Sequence, residues 1–130
     1  MRLKHFRLDI GAQIFLACAD RSRLRILHLI LQEGEMSITD LERVLDFTQS
    51  KTSRHLQYLK NSGILSVRKF NQWSFYTIKD EVMDLIRLIL QFVEKDPELQ
   101  QDRQTFRVLL TNRELPGLHI LTRHDSKRNA

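Results

Sequence analysis

At 130 residues and 42% apolar composition, the chain is long enough for one ordinary domain with a small core. Its single cysteine, Cys18, excludes an internal disulfide, and no run of 18 uncharged apolar residues is available to span a membrane. The first residues carry no apolar signal core, so the expected compartment is the cytoplasm.

The net charge is +5, and it is not spread evenly. Between Thr48 and Gln72 stand Lys51, Arg54, Lys60, Arg68 and Lys69 with no Asp or Glu, which leaves 16 basic and 16 acidic residues elsewhere. A charge run is usually just a solvated face. This one is single-signed and coincides with a helix and a hairpin, a combination suited to gripping a polyanionic duplex.

In chain order, Leu8 to Ala19 reads as a helix with Ile10, Ile14, Ala17 and Cys18 on one face. Asp20 is placed to cap a second helix, Arg21 to Glu33, which Gly34 ends. Ser37-Ile-Thr-Asp40 has the spacing of a capping box and opens a short helix with Ile38, Leu41, Val44 and Leu45 inward. After a turn at Asp46 and Phe47, Thr48 caps a helix from Gln49 to Ser62 whose buried stripe is Thr52, Leu56 and Leu59. Gly63 and Ile64 fit a Schellman ending. Two short helices joined by a three-residue turn make a helix-turn-helix.

Leu65–Phe70 and Trp73–Ile78 then read as a two-stranded hairpin, or wing, turning at Asn71-Gln72. Trp73, Phe75 and Tyr76 are expected to anchor it rather than to stack on single strands, because a lone hairpin is unstable. Asp80 should cap a helix reaching Lys95, and Asp96-Pro97 should open another to about Leu110. The basic tail after Leu115-Pro-Gly117 receives no assignment. The expected fold is mainly α with a small β-hairpin: a winged helix-turn-helix, α-α-α-α-β-β-α, plus an extra C-terminal helix. Residues 1–95 would form a dimeric DNA-binding domain, and 96–130 a C-terminal helix and basic tail.

The expected DNA-binding set is Thr48, Gln49, Ser50, Lys51, Ser53, Arg54, His55 and Gln57 on the second helix of the motif, with Arg68, Lys69, Asn71 and Gln72 in the wing. Arg suits guanine and Gln suits adenine in a major groove. Ser, Thr and Lys more often hold phosphates, and His55 more often packs or touches a phosphate than reads a base. No Gly-rich phosphate loop, nucleophile–base pair or workable carboxylate pair is present, so an enzyme is not expected.

Three stretches carry a resemblance: Ala19-Asp-Arg-Ser-Arg-Leu-Arg-Ile-Leu27, Phe47-Thr-Gln-Ser-Lys-Thr-Ser-Arg-His-Leu-Gln-Tyr-Leu-Lys-Asn-Ser-Gly-Ile-Leu65, and Arg68 to Tyr76. Over about residues 8 to 95 the chain resembles the arsenical-resistance repressor (ArsR/SmtB) family of bacterial winged-helix regulators. The resemblance implies a homodimer joined through its first and penultimate helices. It also implies repression at an inverted-repeat DNA operator and release by an effector. The effector is unknown from the sequence. Where the family carries two thiolates, Glu35-Met-Ser-Ile-Thr-Asp-Leu41 has Ser37 and Thr39. At the family's second site Asp80 is kept, but Val82 and Val93 stand for the histidines and Asp96 for the glutamate. Hydroxyls and valines are poor donors for zinc or As(III), so no metal and no cofactor is expected. His119 and the His124-Asp125 pair are weak metal candidates, and Cys18 is expected in the core.

The Asp80–Lys95 helix carries Val82, Leu85, Ile86, Ile89 and Val93 on one side, with Leu88, Leu90 and Phe92 beyond. That arc is wider than one core-facing side needs. Together with Ile10 and Ile14 of the first helix it forms the expected dimer interface. The function expected is a sequence-specific transcriptional regulator, most simply a homodimeric repressor. The alternative is a non-specific or architectural DNA-binding protein.

Overall fold

The computed structural model describes residues 4–128, the last six as backbone alone. The elements run α1 (Leu8–Cys18), α2 (Arg21–Glu33), β1 (Met36–Ser37), α3 (Ile38–Leu45), α4 (Gln49–Asn61), β2 (Leu65–Phe70) and β3 (Trp73–Ile78). A 3-10 turn (Asp80–Val82), α5 (Met83–Gln91), α6 (Pro97–Thr111) and α7 (Pro116–Arg128) follow. This is a winged helix-turn-helix with two helices added after it.

The helix ends follow from local chemistry. The Asp20 carboxylate accepts the Arg23 N–H, and Gly34 closes α2 at φ 84°. Ser37 Oγ accepts the Asp40 N–H and Thr48 Oγ1 accepts the Lys51 N–H, so α3 and α4 both begin on hydroxyl caps. Asp46 takes the left-handed conformation, φ 55°, that turns the chain between them. At the end of α4, Ile64 N–H donates to Leu59 C=O and Gly63 N–H to Lys60 C=O, the paired bonds of a Schellman motif. Asp96 caps α6, with Pro97 at its first position.

Three features differ from the sequence reading. The wing is not a lone hairpin: β1 adds to β3, giving a three-stranded antiparallel sheet in the order β1-β3-β2. Met36 pairs with Tyr76 and Ser37 with Phe75, so the two residues before α3 brace the wing's base. A two-residue strand is too short to show an alternating pattern. Second, the helix expected over Asp80–Lys95 is shorter. A 3-10 turn precedes it, no side chain caps α5, and the chain leaves the helix after Gln91. Third, the unassigned tail contains α7, which packs on α3 and β1.

The core gathers Ile26, Leu27, Leu29 and Ile30 of α2 with Leu41 of α3, Leu56 and Leu59 of α4, and Ile86 of α5. Phe106 of α6 and Leu115 join the same cluster, and Cys18 lies within it. Arg25 of α2 donates both Nε and Nη2 to the Asp102 carboxylate of α6, each at 2.9 Å. Asp102 is only 3% exposed, so this bidentate pair ties α6 to the domain where removing one partner would strand a buried charge.

His28 of α2 is 1% exposed, and its Nδ1 has no hydrogen-bond partner among the described residues. Burial, aided by the Arg103 charge, lowers its pKa below the ordinary imidazole value. A histidine depressed in the folded state stabilises the fold while it is neutral, and that stability is lost as pH falls through its unfolded pKa of about 6.5 toward the folded value. An orphaned buried polar atom costs about 1–3 kcal/mol. His28→Leu should therefore raise stability by about 1 kcal/mol at pH 7.5 and flatten its decline between pH 7 and 5. Urea unfolding across that range measures both, and an unchanged acid slope would count against this account.

Candidate nucleic-acid interface

Helix α4 is sharply two-faced. Thr52, His55, Leu56 and Leu59 are buried, while Gln49, Ser50, Ser53, Arg54 and Gln57 face solvent. The outward set lies largely in the first half of the helix, the half that enters a major groove in helix-turn-helix docking. Arg54 is exposed near the middle of that surface. Gln57 Nε2 donates to Asn61 Oδ1 at 2.9 Å, which orients its amide along the helix. Lys51 lies with its ammonium 4.0 Å from the Phe47 ring centroid, which steadies the helix start from the turn side. Thr48 is exposed, but its hydroxyl is engaged as the α4 cap.

His55 is not on this surface. It is buried, with Nδ1 3.5 Å from Arg23 Nη1. Burial lowers its pKa; the Asp20 carboxylate opposes this, and the weaker charges of Arg23, Arg54 and Lys51 add to the lowering. Its spacing told against a reading role already, since Thr52, His55, Leu56 and Leu59 fall on one helical face. Arg23 itself reaches across to α4, with its guanidinium 4.1 Å from the Tyr58 ring centroid and Nε donating to the Ala17 carbonyl at 2.7 Å.

In the wing, Phe70 pairs with Trp73, so Asn71 and Gln72 form a two-residue turn, with Asn71 left-handed at φ 55°. Lys69, Asn71 and Gln72 are exposed around that tip. Phe75 is fully buried beneath it and stacks on Trp73 with centroids 6.2 Å apart, so both rings hold the hairpin down. Arg68 has an assignment the sequence did not reveal. Its Nε and Nη2 donate to the two Glu35 oxygens, both at 2.7 Å, and its guanidinium lies 5.7 Å from the Phe75 ring centroid. Glu35 lies outside the acid-free window and reaches Arg68 because β1 joins the sheet. The pair clamps the sheet across its width, and it moderates the positive charge of the wing.

The expected dimer residues divide into two groups. Ile14, Val82 and Ile86 are buried within the single chain and serve its own core. Leu85, Ile89 and Val93 are half-buried, and Ile10 is 39% exposed. The most exposed large apolar side chains are others: Leu8 at 89%, Phe15 at 60% and Leu16 at 61% on α1, and Phe92 just past α5 at 85%, with Val108 of α6 at 58%. Leu8, Ala12, Phe15 and Leu16 share one side of α1, opposite Ile14 and Ala17. That second stripe was legible from the spacing. Val82 belongs instead to the 3-10 turn.

Ser37 and Asp40, on the stretch where the resemblance implied thiolates, are buried. The Ser37 hydroxyl caps α3, and Asp40 accepts the N–H groups of Gly117 and Leu118 at 3.0 and 2.7 Å. His119 is exposed, whereas the side chains of His124 and Asp125 lie outside the described residues.

Comparison with known proteins agrees with this architecture. Residues 20–67 match the family described as "Bacterial regulatory protein, arsR family". An arsenic resistance transcriptional regulator of Pseudomonas putida is 38% identical over 90 residues, covering 68% of this chain and 70% of that one. The arsenical resistance operon repressor of Escherichia coli is 40% identical over 70 residues, covering 54% of this chain and 60% of its own. Among solved structures, HlyU from Vibrio cholerae superposes with a TM-score of 0.60 at 33% identity, covering 65% of this chain and 91% of that one. A homodimeric winged helix-turn-helix DNA-binding domain from Mycobacterium bovis, described as a possible ArsR-family regulator, gives 0.62 at 28% identity, covering 68% and 82%. Two faces of α4, a braced wing and these relatives lead to one conclusion: the chain belongs to the ArsR family of winged helix-turn-helix transcriptional regulators and is not an enzyme.

Proposed function

We propose that the protein is a homodimeric repressor that recognises an inverted-repeat DNA operator and releases it when an effector binds. The observation that carries this reading is the outward face of α4, where Ser50, Ser53, Arg54 and Gln57 stand together, clear of the buried stripe and within the acid-free window. In this reading Arg54 and Gln57 read base edges, and Gln49, Ser50, Lys51 and Ser53 hold phosphates around them. Lys69, Asn71 and Gln72 bring the wing tip to the adjacent backbone or minor groove. Residues 1–95 form the dimeric DNA-binding unit, and 96–130 form an arm. No helix among the described residues is long and apolar enough to cross a membrane, which suits action in the cytoplasm.

Dimerisation is supported by the unpartnered side of α1 and by Phe92. Four large apolar side chains this open, three of them along one side of α1, are more than singly scattered surface residues account for. A two-fold axis would place each copy's Leu8, Phe15, Leu16 and Phe92 against the other. Phe15→Glu combined with Phe92→Glu should give a folded monomer in sedimentation at micromolar concentration. Dimers that persist in this variant would refute the assigned face.

The division between reading and holding is separable by binding measurements. Arg54→Ala should cost about 1–3 kcal/mol with a duplex selected from a random library, and relax preference at one position per half-site. Lys69→Ala should weaken selected and scrambled duplexes alike and reduce the salt slope by about one per site. Equal loss on both duplexes for Arg54→Ala would favour an architectural, non-specific binder instead.

The arsenic-resistance relatives invite an As(III) response, but Ser37, Thr39, Val82 and Val93 do not supply thiolates or imidazoles. Zinc, cadmium and As(III) at micromolar concentration should leave the affinity for the selected duplex unchanged. A working sensor of this kind couples by about 1–3 kcal/mol, a 5- to 150-fold change that a titration would show readily.

A further inference from the structure

The C-terminal arm meets the helix-turn-helix at a point where charge and shape fit together. Asp40 of α3 is buried, and its two carboxylate oxygens accept the Gly117 and Leu118 N–H groups at 3.0 and 2.7 Å. These donors belong to the first turn of α7, where backbone N–H groups have no partner within the helix. The fit is close as well as polar. A Cβ at Gly117 would lie 2.1 Å from Ser37 Oγ, 2.6 Å from Ser37 Cβ and 2.8 Å from Asp40 Oδ2. Only glycine fits there without moving the start of α3. Arg43, one turn on, donates to the Glu114 carbonyl at 3.4 Å. At its other end the arm is anchored by α6, through the Arg25–Asp102 pair on α2.

The element receiving this contact is eight residues long and leads into α4 through the left-handed Asp46. A helix that short has little stability of its own and takes its pose from what it packs against. Base reading tolerates only small displacement of the reading helix, so the support of α3 matters to DNA binding.

We propose that Asp40 and Gly117 are positioning residues, and that docking of α7 on α3 holds the helix-turn-helix in its DNA-reading pose. The partner of this surface is the protein's own C-terminal helix. The inference rests on the sequence-specific DNA reading proposed above.

The test uses the full chain, a duplex selected from a random library by the wild-type protein, and a scrambled duplex of equal length. Gly117→Ala should weaken binding to the selected duplex at least tenfold while changing the scrambled one by less than about threefold, because phosphate contacts tolerate a looser pose. Asp40→Asn should act in the same direction. Ser37→Gly, placed in the Gly117→Ala chain, removes two of the three obstructing atoms and should recover part of the lost affinity. Hydrogen exchange should show faster α3 amides in Gly117→Ala and slower ones again in the double variant. If Gly117→Ala fails to fold, Asp40→Asn and the double variant still give the comparison. Wild-type affinity in variants whose α3 amides exchange fast would overturn the latch, as would equal loss on both duplexes. Failure of the wild-type protein to select any duplex would instead remove the DNA-reading proposal beneath it.

Discussion

Helix α4 has to satisfy two opposed demands with thirteen residues, and the rest of the domain is arranged around that constraint. One face must enter the core deeply enough to fix the helix, and the other must remain free. Leu56 and Leu59 meet the first demand, since both are fully buried, and each contributes about 1.5–3 kcal/mol of burial. Thr48 at one end and the Gly63–Ile64 motif at the other fix where the helix begins and stops. A slip of one residue would rotate the helix by about 100° and carry Arg54 toward the core. The caps therefore matter to function, because they set which residues face outward.

The charges are sorted by the same logic. Arg25 is bound to Asp102, Arg21 pairs with Glu98, Arg23 is folded over Tyr58, and Arg68 is clamped to Glu35. These arginines join elements to each other. Arg54, Lys60 and Lys69 stay exposed on α4 and the wing. Guanidinium groups suit the internal role because a planar fork can satisfy a buried carboxylate with two bonds at once, as Arg25 does. A count of basic residues overstates the DNA-facing charge by those that brace the scaffold.

Much of this was legible because its signals are local. Caps at Asp20, Ser37, Thr48 and Asp96 and stops at Gly34 and Gly63 need only a few neighbouring residues, and the helix boundaries followed from them. Several misses are contacts between distant parts of the chain, whereas the uncapped 3-10 turn at Asp80 and the early end of α5 are local ones. Pairing of Met36 with Tyr76 spans forty positions and leaves no periodic trace in two residues. Glu35 meets Arg68 only because of that pairing. The split of α1 into a core side and an open side was present in the spacing of Leu8, Ala12, Phe15 and Leu16. Ile14 shows the cost of reading a helix face without knowing which neighbour covers it, since its stripe faces this chain's own core. Helix α7 was hidden for a different reason. Its hydrophobic pattern is weak, and what places it is a steric fit at Gly117 against a serine 80 positions earlier.

The arm also bears on how regulation could be transmitted. An effector shifts an equilibrium only by the difference in its affinity for the two states. Regulatory couplings run at about 1–3 kcal/mol. Two hydrogen bonds to a carboxylate contribute about 1.5–3 kcal/mol each when both partners are in place, so the Asp40 contact is comparable in size to the Arg25–Asp102 anchor, where breaking a buried pair costs about 3–5 kcal/mol. The arm is thus held to α3 about as firmly as to α2. An effector coupling of ordinary size would loosen the α3 joint rather than release it, and a small change there reaches the outward side chains of α4 through a single turn at Asp46.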